Sequence, residues 1–241
     1  MTAPLLSVQS ASKRFVGLLA VDSVSFDVSA GEMVSIIGPN GAGKTTLFNL
    51  LTGQLQPSGG TVRLRGQVVN RLGPHRRARL GMGRTFQIAK PLTRLTVLEN
   101  VLVGAFMKHR GLRAAEGKAV EVLAEVGLLD RARHSAGELT LSERRRLEVA
   151  RALALDPEII LLDEVMAGLN PSEVDAAIEL YRRLNAQGLT FLVIEHNLKV
   201  VRAFAERVIV LDHGVLIAEG SAETILATPA VIEAYIGRQR A

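Results

Sequence analysis

Gly38-Pro39-Asn40-Gly41-Ala42-Gly43-Lys44-Thr45 keeps the spacing G-x-x-x-x-G-K-[ST], and the apolar run Met33-Val34-Ser35-Ile36-Ile37 leads into it. The run reads as a buried strand, and Thr45 to Leu51 reads as a helix. A glycine-rich turn between the two directs successive backbone N–H groups into one concavity at a helix N-terminus, where the helix dipole favours anions. Glycine permits the positive φ values and the close backbone approach that such a turn needs. In this pattern Lys44 reaches the β- and γ-phosphates of a nucleoside triphosphate, and the Thr45 hydroxyl meets Mg²⁺. Gly38, Pro39, Asn40, Gly41, Ala42, Gly43, Lys44, Thr45 and Thr46 are therefore the predicted nucleotide-binding set.

Outward from the loop, the first third of the chain alternates like strands. Leu6 to Ser10, Val24 to Val28 and Thr61 to Leu64 show the two-residue period. Residues 92–155 read as mainly helical, with Ala119, Val122, Leu123 and Val126 on one face and Gly127 as the C-terminal stop. Strand and helix then alternate. Ile159 to Leu162 and Phe191 to Ile194 are short apolar strands. Between them a helix starts with Asn170 as N-cap and Pro171 at N1, presents Val174, Ile178, Tyr181 and Leu184, and closes at Gly188. Val208 to Leu211 and Val215 to Ile217 flank Asp212-His213-Gly214, a hairpin signal. The pattern predicts an α/β core with a helical insertion between the loop and the Ile159 strand.

The bulk numbers narrow the class. A chain of 241 residues with 48% hydrophobic and 22% charged residues can bury a sizeable core. Tryptophan is absent and aromatics are 4%, which gives little material for stacking nucleic-acid bases. Cysteine is absent, so neither disulfides nor thiolate metal sites enter. Met1 to Gln9 lacks a basic segment followed by an apolar core, so no secretory signal is expected, and no apolar run is long enough to span a membrane. The net charge of +5 could suit nucleic acid or an anionic membrane surface. The arginines, however, are scattered among apolar positions rather than in one block, and a solvated basic surface explains the charge at least as well.

Asp163-Glu164 ends the Ile159 strand. In an open parallel sheet the carboxyl ends of strands face the ligand crevice. One carboxylate there can hold Mg²⁺ and the next can orient or deprotonate an attacking water. His196 follows the Phe191 strand in the equivalent place.

In this order the residues resemble the nucleotide-binding subunits of ATP-binding cassette (ABC) transporters, over nearly the whole chain. Thr85-Phe86-Gln87 resembles the Q-loop, Leu139 to Arg151 the signature segment and its helix, and Ile159 to Glu164 the Walker B strand. Ala167-Gly168-Leu169-Asn170 resembles the D-loop, His196 the switch histidine, and Phe15 the aromatic that stacks on adenine. The resemblance implies an ABC ATPase fold in a single domain over residues 1–241. A P-loop core and antiparallel β subdomain would occupy about 1–87 and 155–241, and a helical subdomain about 88–154. It implies ATP and Mg²⁺ as cofactors, with Thr45, Gln87 and Asp163 around the metal and Glu164, His196 and Gln87 as the catalytic set. It also implies a head-to-tail dimer in which Thr140 and Ser142 of one subunit meet the nucleotide held by the other.

Phe15 to Val21, Gly83 to Gln87, Ala167 to Pro171 and Val231 to Gly237 resemble the branched-chain (hydrophobic) amino-acid uptake group. Urea, amide and aromatic-acid importers share these motifs and are the alternative; a soluble ABC protein outside transport is a further one. The partners implied are membrane permeases, a second ATPase subunit in a heterodimer or homodimer, and indirectly an external solute-binding protein, with no nucleic acid. The implied location is the cytoplasmic face of the inner membrane. One segment departs from the family: Leu139-Thr140-Leu141-Ser142-Glu143 stands where Leu-Ser-Gly-Gly-Gln is usual. Thr140 keeps a hydroxyl, and Ser142 replaces a glycine; it can cap the helix, or be strained if the position needs φ > 0. A subgroup of the branch resembles this chain here and at Val165-Met166. Arg144-Arg145-Arg146 follows the signature, as basic residues do in the family.

Overall fold

Strands that are apolar at every position belong in a sheet covered on both faces, and that is where the short runs lie. The computed structural model describes residues 3–85, 91–229 and 231. The first part of the chain forms β1 (Leu6–Phe15), β2 (Leu18–Val28), β3 (Met33–Ile37), α1 (Lys44–Thr52), β4 (Gly59–Leu64), β5 (Gln67–Val68), α2 (Pro74–Arg79) and β6 (Met82–Arg84). Three helices follow: α3 (Val97–Ala105), α4 (Leu112–Glu125) and α5 (Leu141–Leu153). The chain continues with β7 (Ile159–Asp163), α6 (Pro171–Ala186), β8 (Thr190–Ile194), α7 (Leu198–Phe204), β9 (Arg207–Asp212), β10 (Val215–Ser221) and α8 (Ala222–Leu226).

Six strands form one sheet in the order β10-β9-β3-β8-β7-β6, parallel throughout except for the β9–β10 hairpin. Every residue of β3, β7 and β8 is buried. Their side chains still alternate between two cores. Ile159, Leu161, Val34 and Ile36 join α1 and the antiparallel sheet β2-β1-β4-β5, whereas Ile160, Leu162, Met33 and Ile37 face the helices. On the helical side Tyr181 of α6, Phe191 of β8 and Phe204 of α7 pack with ring centroids 5.7, 5.8 and 6.0 Å apart. The α/β core with an antiparallel sheet and an inserted helical segment is thus realised.

The predicted helix ends have the expected chemistry. Gly127 has φ 68°, its N–H bonds the Ala124 carbonyl, and Leu128 N–H bonds that of Leu123, a Schellman closure. Gly188 closes α6 in the same way, with N–H bonds from Gly188 to Asn185 O and from Leu189 to Leu184 O. Asn170 and Glu173 make a reciprocal capping box at its start. The arginine run after the signature is absorbed locally. Arg145 is buried, Arg144 donates to Gly137 O, and Arg146 donates to the Val126 and Gly127 carbonyls at the end of α4. Among the described residues, no helix is long and apolar enough to cross a membrane.

Candidate active site

The loop between β3 and α1 is shaped by two close approaches. A Cβ on Gly38 would stand 2.2 Å from the Leu211 carbonyl oxygen of β9, and one on Gly43 2.4 Å from that of Ala20 in β2. Both glycines have positive φ, 152° and 94°. Helix α1 begins after Gly43 with no side-chain cap and no acidic residue in its first turn. Its first N–H donors are therefore available to an anion. Lys44 opens the helix almost fully buried, and its Nζ donates to Gly38 O at 2.7 Å and Pro39 O at 2.9 Å. Burial lowers the Lys44 pKa, against the opposing pull of Glu164 and Asp163.

The far end of α1 is also fixed. Arg77 is fully buried, donating from Nε to Leu72 O at 2.9 Å, from Nη1 to Leu50 O at 2.6 Å and from Nη2 to Val69 O at 2.7 Å. It also bonds the Leu51 carbonyl. A guanidinium thus sits on the last carbonyls of the loop's helix, where the dipole favours a cation. Burial pulls its pKa down to about 10.

An open cleft of about 620 Å³ lies over the loop, lined by Leu18, Leu19 and Ala20 of β2, Asn40 to Thr46, Glu164 and His213. Phe15 pairs across the β1–β2 hairpin with Leu18, which lines the cleft; it is half exposed, with Lys13 Nζ 5.2 Å from its ring centroid.

The carboxylates come from the tip of β7. Asp163 is its last residue and is buried; burial raises its pKa, while Arg84, with Nη2 3.5 Å from Oδ2, pulls the other way. Arg84 also donates to Asn49 Oδ1 and Thr52 Oγ1 of α1, at 2.9 Å each. Glu164 turns the chain with φ 48°, a left-handed conformation unusual outside glycine. Its N–H bonds Ile194 O at 3.1 Å, which ties the end of β7 to the end of β8. Glu164 Oε1 lies 3.7 Å from Nδ1 of His196, which follows β8 and is exposed.

Among the described residues no three His, Asp or Glu side chains converge on one point. One buried carboxylate and the hydroxyl of Thr45 suit Mg²⁺ that arrives with phosphates and keeps its waters, as this ion usually binds.

The structure therefore brings Gly38 to Thr46, Asp163, Glu164 and His196 to one end of the sheet. Gln87 lies outside the described residues, as do residues 232–237 of the terminal segment. Thr140 and Ser142 line no part of the cleft. Thr140, not Ser142, caps α5. Its Oγ1 accepts the Glu143 N–H at 3.3 Å, and its own N–H donates to Glu143 Oε2 at 2.9 Å. Ser142 lies inside the first turn of α5 and is absent from the positive-φ residues, so the expected strain does not arise. The reading from sequence also passed over Arg84, Glu195 and His213. An acidic residue directly after the apolar β8 run, mirroring Asp163-Glu164 after β7, was the available signal for Glu195.

The sequence profile of ABC transporters matches residues 21–167. The chain is 43% identical to the high-affinity branched-chain amino acid transport ATP-binding protein LivG of Escherichia coli (strain K12), over 98% of this chain and 99% of that one. The ADP conformation of MJ1267, an ATP-binding cassette of an ABC transporter, superposes with a TM-score of 0.89 at 33% identity, covering 98% of this chain and 100% of that chain. A dimeric post-hydrolysis structure of the cassette MJ0796 bound to ADP and Pi gives 0.81 at 29% identity, covering 90% and 98%.

Proposed function

We infer the task of this chain from the premise that it belongs to the ABC transporter family: it is the ATP-binding and ATP-hydrolysing subunit of an importer for branched-chain or other hydrophobic amino acids. The cleft chemistry carries the ATPase half of this reading, because Lys44 and Glu164 line one cleft over an uncapped helix N-terminus and His196 lies 3.7 Å from Glu164. Full-length similarity to LivG supports the solute class.

In this reading Lys44 leaves the Gly38 and Pro39 carbonyls for the β- and γ-phosphates, and the α1 N–H groups hold the remaining charge. Phe15 meets the adenine ring. Thr45, Asp163 and Gln87 would hold Mg²⁺, which when bound would supply positive charge against that of the phosphates. Glu164 accepts the proton of the attacking water, and His196 steadies the γ-phosphate. Catalysis is then positioning plus charge compensation. Thr140 and Ser142 serve the nucleotide of a second subunit, a different ATPase or a second copy.

ABC ATP-binding subunits pair with permeases, and the exposed apolar residues Val103, Phe106 and Met107 at the end of α3 favour that contact. Val103 and Met107 share a groove with Arg84 and Thr85, just before Gln87. Such a subunit works on the cytoplasmic face of the inner membrane, with an external solute-binding protein on the other side.

Glu164→Gln is the test of the ATPase reading. Removing a general base costs about 10²–10⁴-fold in turnover, while ATP binding stays. Unchanged turnover overturns the assignment. The lone chain is expected to hydrolyse ATP slowly. For the solute, a complex reconstituted with its permeases and binding protein should be stimulated by leucine; stimulation by urea alone would reassign it.

A further inference from the structure

The turn between β9 and β10 is tied to the phosphate loop. Asp212 pairs with Val215, which leaves a two-residue connection, His213-Gly214, with φ 45° and 82°. Positive φ at both positions is what the favoured hairpin connection demands, and Asn-Gly is its common filling. Gly214 makes two backbone contacts there. Its N–H donates to Ala42 O of the phosphate loop at 3.1 Å, and its carbonyl accepts the Asp22 N–H of β2 at 2.8 Å. A Cβ on Gly214 would stand 2.9 Å from Ala20 O, the same carbonyl that excludes a side chain at Gly43. The turn, β2 and the phosphate loop are therefore one backbone assembly, and the placement of His213 is fixed with it.

Glycine or asparagine would sit at that position with less strain than histidine. Packing does not explain the choice, because the His213 side chain is 94% exposed. The Asp212 carboxylate, 3.8 Å from Nε2, lies beyond hydrogen-bonding reach. What His213 does face is the cleft, which it lines together with Leu18, Ala20, Lys44, Thr45 and Glu164. The strand order β10-β9-β3-β8-β7-β6 puts β9 and β7 on opposite sides of β3. His213, after β9, and Glu164, after β7, thus flank the phosphate loop from its two sides. A triphosphate whose γ-phosphate points toward Glu164 turns its α-phosphate toward His213.

We propose that His213 is a further nucleotide-binding residue, whose imidazole donates a hydrogen bond to the α-phosphate of ATP. The pinned turn holds the ring at the end of the cleft away from Glu164. The inference rests on the ATPase reading given above.

The full-length chain tests it with His213→Gly, a change that suits the turn. Glycine takes the left-handed conformation without strain, so the melting temperature should hold or rise. Calorimetric titration with ATP and with ADP should show both bound about tenfold more weakly, the loss expected for one hydrogen bond to a charged group. His213→Asn, which also fits the turn, replaces His213→Gly should the latter not fold. Wild-type affinity for both nucleotides overturns the proposal. So does a loss confined to ATP, which would place the contact at the γ-phosphate. A loss that comes with a lower melting temperature overturns it as well, since the turn and not the imidazole would then be at fault. Lys44→Ala tests the underlying reading separately. If it loses both nucleotides while His213→Gly binds them as the wild type does, only the role of His213 falls.

Discussion

Helices α1 and α5 both begin next to a motif that handles phosphate in the resemblance, yet their first turns are finished in opposite ways. The N-terminus of α1 has no side-chain cap, and its glycines are pinned by the backbones of β2 and β9. The N-terminus of α5 is closed by the reciprocal Thr140–Glu143 box. An open cap at the end of a buried strand is an anion site in its own right. A closed cap holds a hydroxyl and the N–H groups of Leu141 and Ser142 in fixed directions, and needs a ligand brought by something else. In the proposed reading, one chain therefore holds a complete seat for phosphate and only half of what encloses it.

The largest effect that separates the two ends is expected at Lys44. Charge-assisted hydrogen bonds are worth about 1.5–3 kcal/mol each, so Lys44→Ala should weaken ATP binding by about 100-fold. A fluorescent ATP analogue titrated onto the lone chain measures this, and tight residual binding would break the contrast.

Next comes the other end of α1. Arg77→Met strips four carbonyls of their donor and should cost about 3 kcal/mol, a fall in Tm of about 6–12 °C for a chain of this size. A melting curve that does not move would remove Arg77 as the anchor of the loop's helix.

Thr140→Val should be milder in stability, about 1 kcal/mol for the lost cap, and selective in function. It should leave the chain's own ATP affinity alone while lowering hydrolysis by the assembled dimer; weaker binding by the isolated chain would show that the two ends are not independent.

Ser142→Gly is the smallest. Glycine in a helix costs about 0.5–1 kcal/mol, and a helical Ser142 predicts no gain in hydrolysis. Faster turnover in the glycine variant would mean that closer backbone approach matters there after all.

Much of this was legible in the sequence wherever local chemistry decides. The loop spacing, the apolar runs of β3, β7 and β8, the Asn170 cap and the glycine stops at 127 and 188 all depend on neighbours within a few residues. What escaped depends on distant partners. β6 is three residues long and exists because Met82, Gly83 and Arg84 pair with Ile159, Ile160 and Leu161 of β7; no periodicity fits in three residues. Arg77 belongs to a basic stretch, His75-Arg76-Arg77, that reads as surface. Its burial is explained by the carbonyls of α1, 26 and 27 residues away, together with those of Val69 and Leu72. The cap of α5 was different, because Thr140-Leu141-Ser142-Glu143 carries the capping-box spacing. Alignment to the family drew attention to Ser142, where the local pattern pointed to Thr140.

The left-handed backbone at Glu164 also bears on how this protein can be improved. A non-glycine residue in that conformation costs about 1–2 kcal/mol, and asparagine or glycine relieves much of it. Any screen that rewards heat resistance alone therefore has an inviting substitution at the residue assigned to activate water. Stabilised variants recovered that way should be enriched in ones that still bind ATP and no longer turn it over.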